Sequence, residues 1–131
     1  MSYALSIDVV RPFEEVVPLV KDALAANGFG IVAEIDMQKT LKNKIGVDIE
    51  PNLILGACNP RFAHRALQVE PSIGLLLPCN VVIRRTGEVT VVEAINPESL
   101  VTLTENPAMT ELSQDLATSL AATLETLRDL V

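Results

Sequence analysis

Apolar residues in the first third of the chain recur with two different periods. They occupy every second position from Tyr3 to Val9, which predicts a β-strand with one buried face. From about Pro12 to Asn27 they recur at intervals of three and four, which predicts a helix that stops at Gly28. The residues from Phe29 to Ile35 predict a second strand.

The middle of the chain predicts a short helix, a buried strand and a longer helix. Asp36 is placed to cap the short helix, which ends near Gly46. The continuous apolar run from Leu53 to Cys58 predicts a strand buried on both faces. Asn59-Pro60 then begins a helix that stops before Pro71. The residues predicted to face inward from this helix are Phe62, Ala63, Ala66 and Leu67.

The last part of the chain predicts a β-hairpin followed by helices. Its strands run from Pro78 to Arg85 and from Glu88 to Ile95, joined at Thr86-Gly87. Asn96-Pro97 begins a short helical turn, and Asn106-Pro107 begins a last helix that continues to the end. We interpret all three Asn-Pro pairs as helix starts, because Asn accepts hydrogen bonds from first-turn amides. The predicted order is β-α-β-(α)-β-α-β-β-α.

Length and composition indicate one globular domain. The chain has 131 residues, 49% of them apolar, and no linker or repeat divides it, so we expect a single domain over residues 1–131. The net charge of −7 and the 3% of aromatic residues disfavour nucleic acid and anionic membranes as partners. The first eight residues lack the features of a signal peptide. We therefore expect a cytoplasmic protein whose two cysteines are reduced.

Cys58 is the first candidate for chemistry. The segment Gly56-Ala57-Cys58-Asn59-Pro60 places a thiol where a buried strand ends and a helix begins. The unpaired amides and the positive end of a helix favour a thiolate, which is the nucleophilic and metal-binding form of cysteine. The alternative is that Cys58 is a small buried residue packed under the helix.

Cys79 is the second candidate, and its surroundings repeat those of the first. Both cysteines are followed by asparagine, and Cys79-Asn80 stands at the head of a predicted strand. If the two strands are neighbours, Cys58 and Cys79 form a shared site for copper(I) or zinc, or a redox pair. Asn59 and Asn80 are then candidate ligand-binding residues. The alternative is two unrelated core cysteines, because a spacing of 21 is not a metal-binding motif.

His64 is the only histidine, one turn into the helix that follows Cys58. It is a candidate third metal ligand, or a base for the thiol. The alternative is a surface histidine, since a residue five positions beyond the cap can point away from the start of the helix. No nucleophile elbow, P-loop, dinucleotide fingerprint or zinc-protease motif occurs in the sequence. Whether the protein is an enzyme is left open.

The two cysteine segments also carry a resemblance to a known family. Gly-Ala-Cys-Asn-Pro and Leu-Pro-Cys-Asn-Val, together with the residues between Val9 and Leu130, resemble the domain of unknown function 302 family. The resemblance implies an α+β fold similar to the TATA-box-binding-protein class, with a curved antiparallel sheet and helices packed on one side. It also implies a homodimer. It implies no reaction, and reading DNA binding from the fold alone would be analogy.

Three functions follow from these observations. The first is a non-catalytic binding module in which Cys58 and Cys79 hold a small ligand or a soft metal ion. The second is a homodimeric assembly module that uses the aliphatic run from Ile73 to Leu77 and the edge of the hairpin. The third is a thiol-redox protein in which Cys58 attacks and Cys79 resolves. The identity of the ligand and the pathway cannot be read from the sequence.

Overall fold

One five-stranded antiparallel sheet carries the fold, and the helices pack on one of its two faces. The computed structural model describes residues 3–131. In chain order the elements are β1 (Ala4–Val9), α1 (Phe13–Ala26), β2 (Gly30–Asp36), α2 (Met37–Ile45), β3 (Asn52–Cys58), α3 (Pro60–Val69), a 3-10 helix (Pro71–Leu76), β4 (Cys79–Thr86), β5 (Val89–Ile95), α4 (Glu98–Thr104) and α5 (Met109–Leu130). The strand order across the sheet is β1-β5-β4-β3-β2. The predicted α+β class and element order are confirmed.

The hairpin occupies the middle of the sheet. Thr86 pairs with Val89, so Gly87 and Glu88 form the turn, and Gly87 adopts a positive φ of 62° that suits glycine. β5 pairs with β1 on its other side, and β4 pairs with β3. The hairpin therefore has no free edge. The prediction that its edge forms a dimer contact was wrong, because the edges of the sheet are β1 and β2.

Side chains cap the helices as the sequence predicts. Asn59 Oδ1 accepts from the Phe62 amide, and Asn96 and Asn106 make the same kind of bond to amides two residues farther on. Asp36 accepts from the Lys39 amide at the start of α2. Short-range polar contacts thus define these helix starts.

The core lies between the sheet and helices α1 and α5. α5 contributes one stripe of buried residues, which are Met109, Leu112, Leu116, Leu120, Leu124 and Leu127. Each fully buried leucine contributes roughly 1.5–3 kcal/mol relative to an exposed one. Within residues 3–131, no helix combines the length and the apolar character needed to cross a membrane.

Two apolar positions differ from the prediction. Leu67 is 47% exposed, because Phe62 and Ala66, four residues apart, already form the buried stripe of α3. Leu75, in the predicted assembly segment, is 87% exposed, while Ile73 two residues earlier is fully buried. The 3-10 helix therefore anchors to the core through Ile73 and presents Leu75 to solvent.

Candidate two-cysteine pocket

The two cysteines lie side by side at one end of the sheet. β3 and β4 are antiparallel neighbours, and Ala57 at the end of β3 stands opposite Cys79 at the start of β4. Cys58 is therefore one residue away from the position opposite Cys79. Both cysteines line a single pocket of about 280 Å³, and both are free thiols. The two strands are thus neighbours, and the two cysteines line one pocket.

The walls of this pocket, here called the thiol pocket, are mostly apolar. They are formed by Val32, Ala57, Phe62, Ala63, Leu77 and Pro78. Apart from the two thiols, the only polar side chain in the lining is that of Asn59. No carboxylate or imidazole lines the thiol pocket. The thiol pocket therefore offers two soft sulfur atoms and one amide in apolar surroundings.

The helix that follows Cys58 fixes one wall of the thiol pocket. Asn59 Oδ1 caps α3 by accepting from the Phe62 amide at 3.2 Å. The Phe62 ring is 5% exposed and anchors the first turn of α3 in the core. The segment that turns from β3 into α3 is thereby held by a hydrogen bond and a buried aromatic ring, which places Cys58 and Asn59 at the pocket.

Gly56 fixes the part of the pocket wall that Pro78 forms. A Cβ atom added to Gly56 would lie 2.8 Å from Pro78 Cγ and 3.2 Å from the Ala33 Cβ. Pro78 directly precedes Cys79, so the close approach of its ring to β3 sets where β4 begins. Glycine at position 56 thus allows Pro78 to pack against the sheet beside the two thiols.

Burial makes Cys79 the less reactive thiol. Its side chain is 4% exposed, and burial, followed by the nearness of Cys58, raises the pKa of the Cys79 thiol from 9.0 to about 11. Cys79 is consequently protonated at neutral pH. Cys58 is half-buried and is the more accessible of the two. A bound ion would have to displace the proton of Cys79.

His64 does not line the thiol pocket. Phe62 and Ala66 face the core, and His64, midway between them on α3, lies on the opposite side of the helix and is exposed. Among residues 3–131 no group of three or more His, Cys, Asp or Glu side chains is arranged to hold a metal ion. The structure therefore places His64 as a surface residue, which was the alternative interpretation of the sequence.

Asn80 lies on the other face of the sheet. Successive side chains of a strand alternate, so Asn80 points away from the side on which Cys79 and Val81 are buried. It lines a separate, shallow pocket with Val82, Glu93 and neighbouring residues. Of the five predicted site residues, the structure brings together Cys58, Asn59 and Cys79, and separates His64 and Asn80 from them.

The six apolar residues that line the thiol pocket were not predicted as site residues. Pro78 stands in the repeated cysteine segment, and its adjacency to Cys79 was a signal available in the sequence. Val32 comes from β2, where the register shifts between Ile31 and Ala33. Such a bulge leaves no periodic trace in the sequence, so nothing pointed to Val32.

Comparison with known proteins gives a family and a fold. The model of the family described as "Domain of unknown function DUF302" matches residues 5–127. A crystal structure of an uncharacterized conserved DUF302 protein from Bacillus stearothermophilus is similar, with a TM-score of 0.90 and 29% sequence identity. The similarity covers 97% of this chain and 99% of that chain. No match was found among curated proteins.

Proposed function

We propose, for a chain that belongs to the DUF302 family, that the thiol pocket makes it a non-catalytic binding module. Its ligand is a small soft species, of which a soft metal ion is the simplest. One observation carries the proposal: Cys58 and Cys79, from distant parts of the sequence, line the same pocket. Thiolate sulfur is the protein ligand that soft metal ions prefer.

The lining of the thiol pocket favours binding over catalysis. General acid-base chemistry needs a titratable group within hydrogen-bond reach of the reacting atoms, and no histidine or carboxylate lines this pocket. In a thiol-redox cycle Cys79 would have to resolve the intermediate as a thiolate, and burial raises the pKa of Cys79 to about 11. The apolar walls instead leave the two sulfurs and the Asn59 amide as the groups that can bind a ligand.

Metal uptake by the untagged protein tests this function. We expect the reduced protein to take up one soft ion, supplied as copper(I) or zinc, per thiol pocket, as measured by elemental analysis after gel filtration. Cys58→Ser and Cys79→Ser should each abolish the uptake, because each removes half of the donor set. His64→Ala and Asn80→Ala are the matched controls, since both side chains lie outside the thiol pocket.

Two results would contradict the binding module. The first is a protein that remains free of both ions when each is supplied under reducing conditions. The second is uptake that persists in both cysteine variants, since the ion would then be held elsewhere. Circular dichroism of each variant confirms that a lost ion reflects a lost ligand and not a lost fold.

We also propose that the protein is a homodimer, with the open face of the sheet as the contact. The helices cover the other face. The open face carries partly exposed aliphatic side chains from four strands, namely Ile35, Ile54, Val82 and Ile95, beside the ion pair of Arg84 and Glu93. Ile35 is 46% exposed in a single copy of the chain. A second copy would remove these side chains from water, which is the main favourable term in association.

Sedimentation analysis tests the dimer. We expect a dimer at micromolar concentration, and Ile54→Lys should convert it to a monomer because it puts a charge between the aliphatic side chains of Ile35 and Val82. Gln114→Lys adds the same charge on an exposed position of α5 and should leave the dimer intact. A wild-type protein that sediments as a monomer at that concentration would exclude the assembly.

A further inference from the structure

We propose that the ion bound in the thiol pocket is copper(I), held by the sulfur atoms of Cys58 and Cys79 alone. This inference rests on the proposed binding function and goes one step further, because it names the ion and its coordination. It is carried by the number and type of donor atoms that the fold brings together and by the character of the surrounding walls.

The donor set is too small for zinc. Structural zinc sites use four protein ligands, and catalytic sites use three plus water. Among the described residues, no histidine, carboxylate or further cysteine lies close enough to the two thiols to act as a third ligand. The remaining polar group, Asn59, has its side-chain oxygen engaged in capping α3. Two sulfurs are therefore the whole set.

Copper(I) is satisfied by such a set. It is a soft monovalent ion that prefers thiolate, and two thiolates satisfy its single charge. Zinc has the same filled d-shell but a charge of +2 and takes four ligands. Binding involves no change of oxidation state: one copper(I) ion replaces the protons of two thiols, which pass to the solvent, and leaves a complex with one negative charge. The reaction balances without an oxidant or a reductant.

The walls of the thiol pocket suit this low coordination number. Leu77, Pro78 and Phe62 supply only carbon to the lining and provide no further donor. A lining of soft sulfur and apolar carbon discriminates against hard ions that require oxygen ligands and a higher coordination number.

Asn59 and α3 can stabilise the negative charge of the complex. Asn59 Nδ2 makes no hydrogen bond to any group in residues 3–131, so it can donate to a thiolate from its place in the lining of the thiol pocket. The ten-residue helix α3 begins at Pro60, directly after Asn59, and its positive end faces this part of the chain. Asn59 is thus assigned as a positioning residue next to the ligands.

Competition against a copper(I)-specific chelator, under reducing and oxygen-free conditions, tests the assignment. We expect one copper(I) per thiol pocket and an X-ray absorption spectrum with two sulfur neighbours and no nitrogen or oxygen neighbour. Zinc, measured against a zinc chelator, should bind more weakly than copper(I), because two sulfurs leave its coordination incomplete. Cys58→Ser should weaken copper(I) binding by more than the roughly 100-fold that an outer-shell change costs.

The outcomes separate this inference from the function on which it rests. Zinc binding as tight as copper(I) binding, or a nitrogen or oxygen neighbour in the spectrum, overturns the two-sulfur copper site and leaves the binding module standing. Failure of both ions to bind removes the binding module as well. Because Cys79 is buried and its serine variant can fail to fold, Cys58→Ser at the half-buried position carries the test.

Discussion

At the scale of single residues, the two cysteines differ because their surroundings differ. Cys79 is enclosed at the start of β4, whereas Cys58 is half-buried at the end of β3. For a thiol, burial disfavours the charged form, and a second thiol next to it adds to the same effect. The two cysteines therefore line the same pocket, but Cys58 is the more reactive thiol.

Alkylation of the ion-free protein should distinguish the two thiols. At neutral pH the thiolate fraction of Cys79 is about 100-fold lower than at the ordinary pKa, since the pKa rises from 9.0 to about 11. We expect iodoacetamide to label Cys58 first, and to label Cys79 in the Cys58→Ser variant at least about 100-fold more slowly than in urea. Peptide mapping by mass spectrometry measures both rates. Equal rates in folded and unfolded protein would contradict this burial.

The same thiol makes stability depend on pH at the alkaline end. Folded Cys79 retains its proton between pH 9.0 and about 11, where the unfolded thiol loses it, so the unfolded state binds fewer protons. The free energy of unfolding should therefore fall as pH rises through this window, by roughly 3 kcal/mol in total. Urea titrations at several pH values measure the slope. Cys79→Ala should remove this component, and an unchanged slope in that variant would assign it to other groups.

Whether two residues share a pocket depends on contacts that the sequence does not encode locally. Asp36 and Asn59 predict helix starts from the sequence alone, because the amides that they cap are only three residues away. Cys58 and Cys79 meet only because β3 pairs with β4, and periodicity says which residues form a strand without saying which strands are neighbours. The resemblance to a family supplied the antiparallel sheet, but not this register. Both cysteines could therefore be identified from the sequence, but their proximity could not, because it depends on which strands are neighbours.

At the scale of elements, the loop from β3 into α3 and the start of β4 form the thiol pocket together. Gly56 lets Pro78 approach β3 closely, and Asn59 fixes the first turn of α3. Each contact joins two elements at the pocket. Changing either one should therefore disturb the pocket as well as the local structure.

Gly56→Ala should displace Pro78. The added Cβ would lie 2.8 Å from Pro78 Cγ, closer than packed carbon atoms allow, so the ring or the strand must shift. We expect a loss of about 1–3 kcal/mol of stability, as for other overpacked sites, together with weaker ion binding. Gly74→Ala is the control, because nothing lies within 4 Å of its added Cβ. Thermal or urea unfolding of both variants measures the difference, and equal stability would show that the Pro78 contact is easily relieved.

Asn59→Ala and Asn59→Asp separate the capping of α3 from the interaction with the ligand. Alanine removes the acceptor for the Phe62 amide and should cost about 1 kcal/mol. Aspartate retains the acceptor and replaces the Nδ2 donor by a negative charge, so stability should be kept while copper(I) binding weakens. Urea unfolding and chelator competition give the two readouts. An aspartate variant that binds copper(I) as tightly as the wild type would show that Nδ2 makes no contribution.

At the scale of the whole molecule, the last helix closes the fold. α5 packs against α1, α3 and α4 and reaches the first strand β1. Its leucines recur in the sequence at intervals of three and four, and a long helix with one buried face gives the strongest periodic signal. In the shorter helix α3 the periodic signal is weaker. Leu67 was predicted to face inward but is exposed, because α3 buries only the narrow stripe of Phe62 and Ala66.

Truncation of one α5 leucine should destabilise the whole domain. Leu120 is 1% exposed, so Leu120→Ala should cost about 2–5 kcal/mol through lost burial and an incompletely filled cavity. Leu130, on the same helix but 44% exposed, provides the matched control and should lose far less. Urea unfolding followed by fluorescence of an added probe or by circular dichroism measures both. Similar losses in the two variants would mean that α5 does not support the core.

The irregular register of β2 disfavours aggregation through the edge of the sheet. This outermost strand is exposed along nearly its whole length, and a row of unpaired backbone groups in that position can recruit strands of other molecules into filaments. The extra residue, Val32, breaks that row, and the charged Glu34 comes two residues later. The chain thus carries protection against aggregation where its sheet would otherwise grow, and deleting Val32 to restore an even strand would remove that protection.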